Sequence, residues 1–371
     1  MNRHRLVLLL IAATAASGAE LIIDPWLTPK LADQILVDGA PLKQFERVRV
    51  LVFSNGQLAG PTGSEPFALL SKDYATGLLR ACRAQGVPCT WALDLLRWQR
   101  NNCPPSGLAT AAREWLEIDA KGQITAADDA ACYGSPWDPR VRAALGRLAA
   151  TVASWAPQPE AVTLCCRLSP LDVLGFSPQA REASVWECQL DPIDMSYGYG
   201  PYEDGWCSWR EHSLTSLLKA VIRSYRAKRP SAVFEGWSTG AYLNLSPGLR
   251  LRTCDNGMAW WREGLVADLL VDAPWAGKEV GRIWSMLVGQ TKPRQAPAKP
   301  AKGQTATPQQ PKPTGRLRAI VHTRDGQRRL QLSEVLAALG AQGATLRDVA
   351  FYPLSDGDLA VVQAALAAQA R

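Results

Sequence analysis

Residues 161–194 read AVTLCCRLSPLDVLGFSPQAREASVWECQLDPID. The run 161–168 is mostly apolar apart from Arg167 near its end, and this pattern predicts a buried strand. The turn sequence Leu-Gly-Phe-Ser-Pro at 174–178 follows and predicts the start of a helix. The stretch therefore predicts a strand followed by a helix, which is the repeating unit of α/β folds.

The same strand-then-helix pattern recurs on both sides of this stretch. The predicted strands are 19–26, 47–54, 87–94, 161–168, 232–237, 266–274, 317–323 and 348–354. The predicted helices are 66–85, 140–155, 209–229, 332–339 and 358–368. Alternation of this kind predicts a parallel sheet, and eight strands predict a (β/α)8 TIM barrel. A length of 371 residues is sufficient for one such barrel.

A long insertion or linker interrupts the pattern at 291–315, near residue 300. It carries six prolines and five basic residues without large apolar ones, so we predict a disordered, solvated segment. Residues 20–290 then form the main part of the barrel. Residues 316–371 supply its last strands and helices; the alternative is a separate small α/β domain, which would be marginal alone.

The order of several short motifs resembles the family 10-like glycoside hydrolases, which are secreted (β/α)8 proteins. The resemblance covers roughly 87–275, and includes the helix start SPQAR at 177–181. The other matching positions are Trp115, Asp119, Gly122, Asp138, Pro139, Val141 and Arg142. The resemblance implies that the fourth strand crosses the barrel, with its end facing a polysaccharide or oligosaccharide substrate. The sequence diverges there, because Cys165, Cys166 and Arg167 stand where the family often has an acidic residue.

The chain begins with the pattern of a signal peptide at 1–19. Arg3 and Arg5 precede the apolar run 6–16, and small residues follow at 16–19. A membrane anchor is the alternative, but the run is too short to span a bilayer comfortably. We therefore expect a secreted or periplasmic protein without a stable membrane span.

The formal net charge of +7 is concentrated in two places. Arg3 and Arg5 lie in the leader, five basic residues lie in 291–315, and the remainder is nearly neutral. This distribution gives no indication of nucleic-acid binding.

Nine cysteines follow the leader, and in an exported protein we expect several of them to form disulfides. Their spacing does not suggest a zinc site, and we predict neither a metal nor a cofactor.

In a (β/α)8 barrel the chemistry lies at the carboxyl ends of the strands. Glycoside hydrolysis generally uses two carboxyl groups, and the strand-end acids Glu235 and Asp272 are our candidates for acid/base and nucleophile. Two further strand-end residues, Asp94 and Arg167, are expected to position sugar hydroxyls. The strand-end tryptophans expected to stack on sugar rings are Trp98, Trp237 and Trp275. Each of these residues also has a structural interpretation, as a helix cap, an ion-pair partner or part of the core.

Two other functions stay open. The Cys165-Cys166-Arg167 strand end is compatible with a carbohydrate-binding pseudoenzyme that has lost catalysis. The pentapeptide 236–240 fits G-x-S-x-G, and Ser238, Asp272 and His322 follow the chain order of an α/β-hydrolase triad. The following segment 241–248 is a poor helix, which argues against that esterase.

Overall fold

The computed structural model describes residues 18–100, 103, 107–124, 131–168, 174–195, 203–239, 255–273, 279–291, 315–325 and 328–369. In this part of the chain, eight parallel strands follow one another around a closed barrel, because the eighth strand pairs with the first. They are β1 Glu20–Ile23, β2 Arg47–Ser54, β3 Cys89–Asp94, β4 Ala161–Cys165, β5 Phe234–Ser238, β6 Leu269–Asp272, β7 Leu317–His322 and β8 Val349–Tyr352. The prediction of a (β/α)8 barrel is confirmed.

A helix follows each strand. These are α1 Pro29–Val37, α2 Tyr74–Ala84, α3 Pro139–Ser154, α4 Glu203–Arg226, α5 Gly257–Arg262, α6 Glu279–Thr291, α7 Leu332–Gly340 and α8 Asp358–Gln369. The connections contain the short helices Leu108–Ala111, Pro178–Cys188 and Pro192–Met195 and the 3-10 turns Ala40–Gln44, Arg113–Trp115 and Leu346–Asp348. They also contain the short strand pairs Gln57–Leu58 with Ala68–Leu69, Arg97–Gln99 with Cys132–Tyr133, and Arg324–Asp325 with Arg328–Arg329. No described helix is long and apolar enough to cross a membrane.

Side-chain caps determine where several helices begin. Asp73 accepts a hydrogen bond from the Thr76 N–H, so α2 starts at Tyr74 and not at Pro66 as predicted. Asp138 and Ser177 cap α3 and the helix Pro178–Cys188 in the same way. The apolar spacing at 66–70 belongs to a short strand and its flanking turns, which is why a helical interpretation failed there.

An ionic layer closes the amino-terminal end of the barrel interior. Arg49 is fully buried and lies between two acids, 2.9 Å from Glu20 and in direct contact with Glu235. Arg47 lies 2.6 Å from Glu235, and Arg318 lies 3.1 Å from Glu20. Because paired charges fill this end in the described part of the chain, we expect a ligand site at the carboxyl ends of the strands.

The segment after residue 315 is part of the same barrel, since β7 pairs with β6 and β8 pairs with β1. The predicted signal peptide falls mainly on 1–17, and the predicted linker on 292–314; both lie outside the described residues. No disulfide joins two cysteines in the described ranges, so the expected pairing is not found there, and Cys254 lies outside them. Cys165 ends β4 and Cys166 follows it directly. Adjacent residues of an extended chain point to opposite faces, so the two thiols have different neighbours.

Candidate functional site

Polar side chains converge at the carboxyl-terminal end of the barrel. We call this end the mouth. Since side chains alternate along a strand, the strand register determines which of them point inward. The inward residues at the strand ends are Asp24, Asp94, Arg167, Asp272, His322 and Tyr352.

Three side chains hold the carboxylate of Asp272. Its carboxylate lies 2.7 Å from Nε2 of His322 and 3.3 Å from a guanidinium nitrogen of Arg167, and it accepts a hydrogen bond of 3.2 Å from Nε1 of Trp237. Burial alone would raise the pKa of Asp272, but His322, Arg167 and the Trp237 N–H together hold that pKa well below its usual range. Asp272 is therefore an ionised carboxylate, suited to accept hydrogen bonds or stabilise positive charge.

Asp94, the last residue of β3, and Arg167, two residues beyond the end of β4, extend the site around the barrel. Asp94 is 4 % exposed, and one of its carboxylate oxygens is bound by Arg97 at 2.8 Å. The other oxygen, Oδ1, and the Nε of Arg167 have no hydrogen-bond partner in the described structure. In the strand register Asp94 is aligned with Cys165, and Cys165 precedes Arg167 by two residues. The mouth thus contains an unpaired acceptor and an unpaired donor on neighbouring strands.

A third cluster lies at the first and last strands. Arg100 binds Asp24 at 2.6 Å, and its other nitrogen donates to the Tyr352 hydroxyl at 3.2 Å. That hydroxyl also donates to Asp24. Sequence reasoning did not select these three residues. Asp24 and Tyr352 obey the same strand-end rule as Asp94, whereas Arg100 lies in a loop and carried no pattern that identifies it.

Glu235 lies elsewhere, and its expected position at a strand end was wrong. It is the second residue of β5 and faces the ionic layer, where Arg47, Arg49 and Thr163 contact its carboxylate. The register aligns the next residue, Gly236, with the first residue of β6. Asp272 is therefore displaced from Glu235 by roughly 13 Å along the strands. Carboxyl groups that act together across a glycosidic bond are about 5–9.5 Å apart, so these two acids do not form such a pair.

The three tryptophans that were expected to stack on sugar rings differ in where they lie. Trp98 is fully buried between Phe67 and Trp115, and donates to the Leu95 carbonyl at 3.0 Å. Its expected role in stacking on a sugar is therefore wrong, because the ring has no accessible face. Trp237 forms part of the mouth, with its N–H on Asp272. Trp275 lies outside the described residues.

The residues of the expected esterase triad do not assemble. Asp272 and His322 meet inside the barrel, but Ser238 is aligned with Val271 and so faces outward. Ser238 is fully buried beneath α5, where a Cβ added to Gly257 would lie 2.4 Å from its hydroxyl oxygen. The serine therefore has neither contact with His322 nor access to a substrate.

Comparison with known proteins places this fold among barrels of glycoside hydrolases. The glycoside hydrolase domain of PgaB (BpsB) from Bordetella bronchiseptica matches with a TM-score of 0.66 and 14 % identity over 95 % of this chain and 97 % of that one. The catalytic domain of a β-amylase from Paenibacillus polymyxa matches with 0.56 and 12 % over 96 % and 100 %. A β-N-acetylhexosaminidase matches with 0.53 and 13 % over 95 % and 71 %.

No protein-family model and no curated protein matches the chain. At identities of 12–14 % the structural matches show the fold alone. The likeness to glycoside hydrolase barrels is therefore general, and the specific resemblance to the family 10-like proteins stays a prediction.

Proposed function

We propose that the protein binds a neutral glycan in the mouth of its barrel, as a member of the glycoside-hydrolase-like barrels that recognises carbohydrate. The arrangement around Asp272 carries this proposal. An ionised carboxylate held by Arg167, Trp237 and His322 offers a fixed acceptor for sugar hydroxyls. Such preorganised polar groups at the carboxyl end of a barrel are the usual basis of ligand binding in this fold.

The unpaired atoms of Asp94 and Arg167 support the same function. A pair of neighbouring sugar hydroxyls can donate to Oδ1 of Asp94 and accept from Nε of Arg167, which satisfies both buried atoms at once. A sugar hydroxyl is both a donor and an acceptor, so it matches this pair better than a purely anionic or cationic group does.

The charge of the mouth favours a neutral ligand. Three arginines line it, namely Arg97, Arg100 and Arg167, and each contacts an aspartate. Because each of these three charges has a counter-charge within the mouth, the described residues named here give it no surplus of either sign that would select an acidic or a basic glycan.

Glycoside hydrolysis is the second candidate function. It is favoured by the low pKa of Asp272, which suits a nucleophile or base. The general acid would then be Asp94, the carboxyl group with an unpaired oxygen. Against this role, Arg97 holds the other oxygen of Asp94 in an ion pair at 2.8 Å, so this carboxyl group already has a partner within the protein.

The test combines binding and turnover on one set of variants. We would measure binding of neutral β-linked glucose, mannose and N-acetylglucosamine oligomers by calorimetry, and release of new reducing ends over long incubation. We expect Asp272→Asn and Asp94→Asn each to weaken binding about tenfold or more, the size of one or two charged hydrogen bonds. The exposed acid Glu263 provides the matched control Glu263→Gln.

Three outcomes are distinguishable. Binding without product formation supports the proposed function. Product formation that Asp272→Asn abolishes would instead support the hydrolase. Unchanged affinity in both aspartate variants would contradict a binding site in the mouth.

A further inference from the structure

A second polar cluster lies outside the mouth, around Arg210 on α4. This arginine is fully buried, and none of its three guanidinium nitrogens has a hydrogen-bond partner in the described structure. The guanidinium carbon lies 4.4 Å from the ring centre of Trp206, so the cation rests on an indole face. A cation–π contact of this kind leaves the N–H donors in the plane of the guanidinium unsatisfied.

Two further donors lie beside it. The indole N–H groups of Trp206 and Trp137 are buried and likewise have no partner. All three side chains converge on Gly175, because a Cβ added there would lie 3.5 Å from the Trp206 ring, 3.6 Å from Nε of Arg210 and 3.7 Å from the Trp137 ring. Gly175 has a φ of +116°, a conformation that other residues rarely adopt, so the chain places no side chain at this point.

The described residues supply no acceptor for these donors. The nearby acid is Glu117, which is itself fully buried and accepts a hydrogen bond of 2.7 Å from the Ser177 hydroxyl. Burial raises the pKa of Glu117, its hydrogen bonds to Ser135 and Ser177 lower it, and Arg210 contributes only a smaller lowering effect. The oxygens of Glu117 therefore accept hydrogen bonds from Ser177, and no hydrogen bond joins Glu117 to Arg210 in the described residues.

We propose that Arg210, Trp137 and Trp206 form a binding site for a small oxyanion such as sulfate or phosphate. A set of N–H donors without acceptors matches an acceptor-only ligand, and the planar fork of a guanidinium fits an oxyanion better than any other ligand type. Burial of guanidinium donors without hydrogen-bond partners is unfavourable, and a bound oxyanion would satisfy them. The ligand also joins three parts of the fold: the start of α3, the start of α4 and the connection that follows β4.

The full-length chain permits a direct test by thermal unfolding. The protein would be dialysed extensively against an anion-poor buffer, then measured in sodium sulfate, sodium phosphate and sodium chloride at equal ionic strength. We expect sulfate or phosphate at about a hundredfold excess over its Kd to raise the midpoint by about 5 °C relative to chloride. Because the site is closed to solvent, we also expect the anion to bind slowly.

Two variants make the test specific. Arg210→Met keeps the length and apolar packing of the side chain but removes its donors, and is expected to lose the response to the oxyanions. Arg223→Met removes an exposed arginine from the same helix and is expected to respond as the unmodified protein does. A sulfated disaccharide is too large for a site around a fully buried arginine and is expected to leave the midpoint unchanged. A response to the disaccharide without a response to free sulfate would contradict a buried site for a small oxyanion.

The proposal also predicts the sign of the stability change that Arg210→Met causes without an anion. In the anion-poor buffer, Arg210→Met should be at least as stable as the unmodified protein, since it removes buried donors that have no hydrogen-bond partner. A large loss of stability in that buffer would mean that the arginine pairs within the chain, and would overturn the proposal. An equal response of Arg210→Met and Arg223→Met to sulfate, or no response in either protein, would do the same.

Discussion

Nε2 of His322 lies 2.7 Å from Oδ1 of Asp272, where β7 and β6 end side by side at the mouth of the barrel. The same carboxylate is bound by Arg167 and Trp237 from two other strands. One acid thus connects residues at the ends of four neighbouring strands, β4 to β7, at the mouth. Its charge state controls both the local structure and the proposed glycan site.

The first prediction concerns pH. His322, Arg167 and Trp237 together outweigh burial and lower the folded-state pKa of Asp272, so its interactions stabilise the folded protein above the unfolded pKa of about 3.9. This contribution is lost as the pH falls through the lower, folded-state pKa. We expect the difference in unfolding free energy between the unmodified protein and Asp272→Asn to be constant from about pH 5 to 6 and to shrink below about pH 4.

Urea unfolding across pH 2–6 would measure this difference. A difference that stays constant down to pH 2, or that disappears already near pH 6, would show that the charge of Asp272 is not what these contacts stabilise.

The second prediction concerns Glu235. Its side chain is 2 % exposed and contacts Arg47 and the fully buried Arg49. Glu235→Gln leaves these arginines with less counter-charge, so we expect a loss of about 3 kcal/mol in unfolding free energy. The folded fraction should retain its glycan affinity, because the ionic layer lies at the opposite end of the barrel from the mouth.

Urea unfolding and calorimetry on the same preparations would separate these two effects. Glu263→Gln is the control, since it removes an exposed acid. If Glu235→Gln kept the full unfolding free energy but lost glycan binding, Glu235 would belong to the functional site.

The third prediction contrasts two tryptophans. Trp98→Phe lies in an aromatic core with Phe67 and Trp115, so we expect reduced stability and unchanged affinity of the folded protein. Trp237→Phe removes the N–H that binds Asp272, and should weaken glycan binding about tenfold, the value of one hydrogen bond to a charged group. Matched calorimetric titrations would check both, and equal losses of affinity in the two variants would contradict the assignment.

The barrel was predictable because the sequence patterns that indicate it lie within short segments of the chain. Apolar runs of strand length alternate with helical spacing along the chain, and that alternation determines the class of fold. Asp94, Arg167 and Asp272 were also within reach of sequence reasoning, because a residue that directly follows an apolar run lies at the carboxyl end of a strand. The cluster of Asp24, Arg100 and Tyr352 was out of reach, because its members come from distant parts of the chain and meet only when the barrel closes.

Glu235 shows where local information fails. The run Phe234–Ser238 mixes polar and apolar residues, and its end cannot be identified from composition when the barrel interior is itself charged. The acid is balanced by arginines of β2, nearly two hundred residues earlier, and only the strand register brings them together. Arg210 is a similar case, because a charged residue on a helix is ordinarily expected to face water.

The last prediction concerns Ser238. Its side chain faces away from the barrel axis and is covered by Gly257 of α5, while Asp272 and His322 meet on the inner side. A fluorophosphonate probe reacts only with an accessible serine that a neighbouring base activates, so we expect no labelling of Ser238, and an identical result for Ser238→Ala. Gly257→Ala should destabilise the protein, because a Cβ there would lie 2.3 Å from that of Ser238. Mass spectrometry of the labelled peptide provides the measurement, and stoichiometric modification of Ser238 that depends on His322 would establish the triad against this geometry.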